Sequence, residues 1–148
     1  MSIRPIGVQH IGIPVSDLER SLEFYQEILG LEFVFVAEGD GPEVSETVGV
    51  PDAHLKFAFL KAGNTIVELL QYLRPEGKPY DRMNCDVGAA HLAFEVDDIE
   101  EAYQSLQAHG IKFNAPPLHV EEGPLAGCAF AYFPDPDGFQ LEIMETAD

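Results

Sequence analysis

Four side chains have the types and the setting to do chemistry: His10, Glu68, His91 and Glu142. His10 lies in Val8-Gln-His-Ile-Gly-Ile-Pro-Val-Ser-Asp-Leu18, and His91 lies in Gly88-Ala-Ala-His-Leu-Ala-Phe-Glu-Val-Asp-Asp-Ile99. Glu68 lies in Ile66-Val-Glu-Leu-Leu70, and Glu142 in Gln140-Leu-Glu-Ile-Met144. These runs alternate, and alternate side chains of a strand point to opposite faces. Ile11, Ile13 and Val15 therefore oppose His10, and Leu92, Phe94 and Val96 oppose His91. Val67 and Leu69 flank Glu68 on the far face, as Leu141 and Ile143 flank Glu142. A carboxylate inside an apolar strand is costly unless it is paired or binds a metal. Imidazole and carboxylate together suit zinc, iron, nickel, cobalt or manganese. Taken singly, a strand histidine reads as hydrogen-bonded structure and a strand glutamate as solvent-facing on an open antiparallel sheet. Their coincidence at two pairs of equivalent positions favours a shared site.

The equivalence comes from an internal duplication. Ser16-Asp17-Leu18-Glu19 answers Asp97-Asp98-Ile99-Glu100, and both read as helix starts of capping-box type. Gly30-Leu31-Glu32-Phe33 answers Gly110-Ile111-Lys112-Phe113.

The elements that must position the four residues follow from the same patterns. The first copy, about 6–72, predicts a strand over 6–15, a helix over 17–29, and strands over 31–37, 54–60 and 65–72. Leu18, Leu22, Tyr25 and Leu29 recur at helical spacing, with Gly30 placed to end the helix. Residues 38–51, rich in Gly, Pro and acid, read as a long loop with at most one irregular turn. Residues 73–87 read as a linker. The second copy, about 88–146, predicts a strand over 89–96, a helix over 98–109, and strands over 111–114, 127–133 and 139–145. Pro134-Asp-Pro-Asp-Gly138 is a strong turn between the last two. One helix per four strands makes the class α+β rather than a doubly wound sheet.

The 148 residues fit one domain made of two half-size modules, and an apolar fraction of 46% with 10 Phe is ample for a core. The formal charge of −18 disfavours nucleic acid and anionic membrane surfaces. No apolar run reaches the length of a membrane span. Met1-Ser-Ile-Arg-Pro5 lacks the pattern of a signal segment, and the expectation is a cytoplasmic protein. Cys85 and Cys128 have no metal or CxxC spacing and read as reduced thiols. Arg74, Lys78 and Arg82 are a local basic group able to receive an anionic tail, or a solvated loop.

The motifs resemble those of the vicinal oxygen chelate superfamily, which includes glyoxalases, methylmalonyl-CoA epimerases, extradiol dioxygenases and bleomycin-resistance proteins. The carrying segments are His10 to Gly30, Gly63 to Leu70, His91 to Asp98 and Asp135 to Glu142, so the resemblance spans almost the whole chain. It implies two tandem βαβββ modules forming a cup-shaped, partly open β-barrel around a divalent metal. Its implied ligands are His10, Glu68, His91 and Glu142, the set that strand parity selects. It also implies a small-molecule substrate and a homodimer.

The implied chemistry is that of a lyase or isomerase of glyoxalase or epimerase type. The metal acts as a Lewis acid on a substrate with chelating oxygens, and Glu68 or Glu142 accepts a proton to give an enolate-like intermediate. Two alternatives remain: a non-haem iron ring-cleaving dioxygenase, and a resistance-type binding protein. Extradiol enzymes use two His and one carboxylate, so Glu68 as a fourth ligand favours the isomerase class. The scarcity of Lys and Arg argues against coenzyme A or glutathione as the handle. His54, Tyr72 and Tyr132 are candidate pocket-lining residues.

Overall fold

The computed structural model describes residues 1–147 and divides into two compact units, Met1–Pro79 and the segment from Tyr80 onward. The boundary falls inside the expected linker. The first unit runs β1 (His10–Pro14), α1 (Leu18–Leu22), a π-helix over Glu23–Ile28, β2 (Glu32–Asp40), α2 (Pro42–Val48), β3 (His54–Ala62) and β4 (Thr65–Arg74). The second runs β5 (His91–Glu95), α3 (Ile99–Ala108), β6 (Leu118–His119), β7 (Ala129–Pro134) and β8 (Gln140–Glu145). The α+β class and the duplicated modules hold.

Each unit carries one four-stranded sheet, ordered β1-β4-β3-β2 in the first and β5-β8-β7-β6 in the second. The first strand pairs parallel to the last, and the remaining pairs are antiparallel. Both sheets are open: β1 and β2 edge one, β5 and β6 the other. Within its own unit neither four-stranded sheet closes on itself.

In each unit the helix covers one face of the sheet, and the branched aliphatics lie beneath it. α1 packs on β4 and β3, and α3 on β8 and β7. Ile13, Ala58, Leu60, Val67 and Leu69 are buried in the first unit, and Ile99, Ala131, Phe133, Leu141 and Ile143 in the second. Each fully buried Leu, Ile or Phe is worth roughly 1.5–3 kcal/mol, so this face fixes the register and leaves the opposite parity for the site.

Each helix begins one residue later than expected. Asp17 accepts from Arg20 N at 3.0 Å, and Asp98 accepts from Glu101 N at 2.9 Å. Those two aspartates are the N-caps, in place of Ser16 and Asp97. The first helix also changes pitch. Leu29 N bonds Phe24 O, five residues back, at 3.1 Å, and the wider turn buries the neighbours Phe24 and Tyr25 together.

Two local expectations are overturned. Within the expected loop 38–51, α2 forms between Gly41 and Gly49, with Pro42 in its first turn and Gly49 left-handed at φ 70°. The Pro and Gly that suggested a loop are helix punctuation. The expected strand 111–114 is absent, and β6 pairs with β7 instead through Leu118 and His119. From that stretch Asn114 N donates to Tyr132 O at 2.9 Å, and Pro116 and Pro117, which carry no N–H, separate it from β6.

Candidate functional site

The register places one histidine and one glutamate together in each unit by the same offset. Gly12 pairs with Glu68 and His10 with Ile66, so His10 and Glu68 are diagonal neighbours on one face. Ala93 pairs with Glu142 and His91 with Gln140, which repeats the diagonal. His10 Nε2 lies 2.9 Å from Glu68 Oε2, and His91 Nε2 lies 3.1 Å from Glu142 Oε2. The site residues named from sequence thus appear as two His–Glu pairs, one per unit.

Both glutamates are withdrawn from solvent while their histidines stay accessible. The side chains of Glu68 and Glu142 are 15% and 9% exposed, against 39% for His10 and 44% for His91. A buried carboxylate held by one exposed imidazole matches the cost argument for an apolar strand. His10 Nδ1 also bonds Gln9 Oε1, which leaves Nε2 as the nitrogen facing Glu68.

The donors fit a divalent metal in kind. The N···O distances of 2.9 and 3.1 Å are those of a hydrogen-bonded ion pair. Each pair supplies two donors, and among the described residues no cluster of three or more His, Cys, Asp or Glu surrounds either pair.

Cross-strand neighbours distinguish the two pairs. Phe59 stands opposite Glu68 on β3, and Tyr132 stands opposite Glu142 on β7. Each ring lies against its module's histidine, with centroids 5.6 Å apart for Phe59–His10 and 5.0 Å for Tyr132–His91. Only Tyr132 adds a polar atom: its hydroxyl is 3.2 Å from His91 Nε2. Burial, the Glu142 charge and a hydrogen bond to Glu142 push the Tyr132 pKa up. Tyr132 is the lining residue legible in the sequence; Phe59 and Gly12 are not among the candidates above, and the signal for both is their alignment with Tyr132 and Ala93 in the duplication.

The other two candidate lining residues fall on opposite faces of the first sheet. Tyr72 shares strand parity with Glu68 and Leu70 on β4. His54 shares parity with Ala58 and Leu60, and its Nε2 meets Glu38 Oε2 at 3.1 Å, so it faces away from Glu68. Arg74 Nε is tied to Asp52 Oδ2 at 2.8 Å, and Arg82 donates to Val87 O at 3.0 Å. His119 meets Glu100 on α3 at 3.1 Å, and His109 meets Ser105 O at 2.8 Å. Cys85 and Cys128 are free thiols. Among the described residues no helix is long and apolar enough to cross a membrane.

The family model of the Glyoxalase/Bleomycin resistance protein/Dioxygenase superfamily matches residues 7–143. The chain is 32% identical over 144 residues to a 2-epi-5-epi-valiolone epimerase from Actinomyces sp, covering 94% of this chain and 79% of the relative. It is 29% identical over 142 residues to a lactoylglutathione lyase from Haemophilus influenzae, covering 94% and 92%. Among solved structures, a glyoxalase family protein from Bacillus cereus superposes with a TM-score of 0.77 over 98% of this chain and 97% of that one. At 21% identity, that likeness speaks for the fold alone.

Proposed function

The chain belongs to the Glyoxalase/Bleomycin resistance protein/Dioxygenase superfamily, and from that footing we propose that it is a metal-dependent isomerase or lyase of epimerase or glyoxalase type. His10, Glu68, His91 and Glu142 are its metal ligands. The observation that carries this reading is the repeated His–Glu diagonal, with N···O separations of 2.9 and 3.1 Å. A divalent ion held there would supply Lewis-acid polarisation of a substrate carbonyl.

The residues of the chain do the rest. The exposed imidazoles mark the open side of each pair, where substrate oxygens approach. A glutamate takes the proton from the carbon next to the carbonyl, and the electron pair left behind moves on to the oxygen as an enolate. Return of the proton to the same or the neighbouring carbon gives the isomerised product. The substrate that fits is small and rich in neighbouring oxygens. Charge also bears on its class: a chain of formal charge −18 repels polyanions, and Arg74 is already paired with Asp52. That favours a neutral keto-polyol or hydroxycarbonyl compound over a coenzyme A thioester.

The homodimer is inferred from β2. This edge strand leaves Phe33, Val34, Phe35 and Val36 between 40% and 49% exposed. An apolar open edge of this kind is normally covered, and a second copy of the chain is the occupant that the resemblance supplies. Sedimentation equilibrium should give twice the chain mass; a monomer at micromolar concentration would refute it.

The reaction is tested by proton exchange. The zinc-, nickel-, cobalt- or manganese-loaded protein is incubated in D2O with 2-epi-5-epi-valiolone, and separately with the hemithioacetal of methylglyoxal and glutathione. Deuterium entering the carbon next to the carbonyl, seen by proton NMR and lost on chelation, is the expected result. Oxygen-dependent ring cleavage of a catechol by the iron form, without such exchange, would move the assignment to a dioxygenase.

A further inference from the structure

The acidic charge of the chain is shared unevenly between its two units. The segment from Tyr80 onward carries 14 Asp and Glu against 2 Lys and Arg, namely Arg82 and Lys112, a formal charge of −12. Met1–Pro79 carries 12 against 6, a charge of −6, and the two together make the −18 of the chain. The core is shared the other way. Among the described residues, 12 apolar side chains are buried in the first unit and 8 in the second. Net charge works against a compact state through self-repulsion, and apolar burial works for it. The second unit has more of the first and less of the second.

Its carboxylates also crowd locally. Glu95, Asp97, Asp98 and Glu101 line one opening at the start of α3. Asp98 caps the helix, and Glu145 Oε2 accepts from Ile99 N at 2.8 Å, so two acceptors already occupy the helix N-terminus. Of the two cations, Arg82 donates Nη1 to Val87 O at 3.0 Å, and Lys112 is exposed. Carboxylates on one helical turn stand about 5–6 Å apart. That spacing lies inside the screening length of about 8 Å at 0.15 M salt and beyond the length of about 3 Å at 1 M.

We propose that the second unit is an ionic-strength switch: it packs fully only where salt screens its carboxylates, and it loosens ahead of the first unit as salt is withdrawn. Screening of this kind asks for ionic strength and not for a particular cation. His91 and Glu142 both belong to this unit, so their pairing is lost with its packing. The inference stands apart from the functional reading and holds whether or not the chain binds metal.

Hydrogen–deuterium exchange of the full chain, read by mass spectrometry along a KCl series from about 2 M to about 0.1 M at neutral pH, tests it. Amides of α3 and β8 should exchange at least about 10-fold faster at the low end than at the high end, and those of β3 and β4 should change by less than about 3-fold. Salt can also strengthen apolar burial, and a charge variant separates the two effects. Asp81→Lys, Glu121→Lys and Glu122→Lys together, all at exposed positions, bring the second unit from −12 to −6, the charge of the first. Repulsion grows as the product of the charges, so the triple variant should keep less than half of the salt response in α3 and β8. Equal responses in the two units, exchange in α3 and β8 that is indifferent to KCl, or a triple variant with the full wild-type response would overturn the proposal.

Discussion

Gln71 and Glu145 occupy the same position in the two modules, each three residues beyond a site glutamate and each bound to the start of the helix on the far face. Gln71 Oε1 accepts from Leu18 N at 2.8 Å, and Glu145 Oε2 accepts from Ile99 N at 2.8 Å. The odd step of three puts the capping side chain on the face opposite the site. One short segment therefore faces the site with its glutamate and ties the helix to the sheet with the residue that follows. The helix N-terminus gains an acceptor for a backbone N–H that has no partner within the helix.

Removing either tie should loosen the fold without touching the donors. Gln71→Ala and Glu145→Ala should each cost about 1 kcal/mol, the usual worth of a lost helix cap. A fall in the urea midpoint with an unchanged slope is the expected signature, and an unchanged midpoint would show that the N–H is satisfied otherwise.

The buried face should respond more strongly. Leu141, fully buried beside Glu142, lies on the helix side of β8. Leu141→Ala should destabilise by about 2–5 kcal/mol through lost burial and a cavity. Differential scanning calorimetry of the metal-stripped protein should show a lower midpoint, and a midpoint unchanged within error would contradict the packing described.

Tyr132 should ionise late. Burial and the Glu142 charge raise its pKa above the usual tyrosine value of about 10. For a group raised in the fold, the stability it contributes is present below the unfolded pKa and is lost as pH climbs through the folded one. The difference in tyrosinate absorbance between the metal-stripped wild type and Tyr132→Phe should therefore appear above pH 10. A transition below that pH would contradict the environment described.

Much of this was legible in the sequence because strand parity and duplication constrain each other. Each copy alone offers one polar residue in an apolar run, which has several readings. Two copies in one register make the His–Glu diagonal a single pattern seen twice, at His10–Glu68 and at His91–Glu142. That each sheet stays open was not legible, since parity says which face a residue occupies and nothing about whether edge strands meet. α2 was hidden because Gly41, Pro42 and Gly49 are as suited to a loop as to helix ends. The short pairing at Leu118 and His119 was not legible because Gly110 to Phe113 answers Gly30 to Phe33, which draws the expected strand to the residues before Pro116 and Pro117 instead of after them. The difference between Glu68 and Glu142 depends on cross-strand partners, Phe59 and Tyr132, whose register only the fold supplies.

The central claim is that the two His–Glu pairs bind metal, and elemental analysis of protein purified without a chelator or a metal-binding tag tests it most directly. The account predicts about one equivalent of a divalent transition metal per chain, falling to background in both His10→Ala and His91→Ala while circular dichroism shows each variant folded. A wild-type chain that neither carries nor takes up metal, or a His91→Ala variant that keeps its full equivalent, would contradict it.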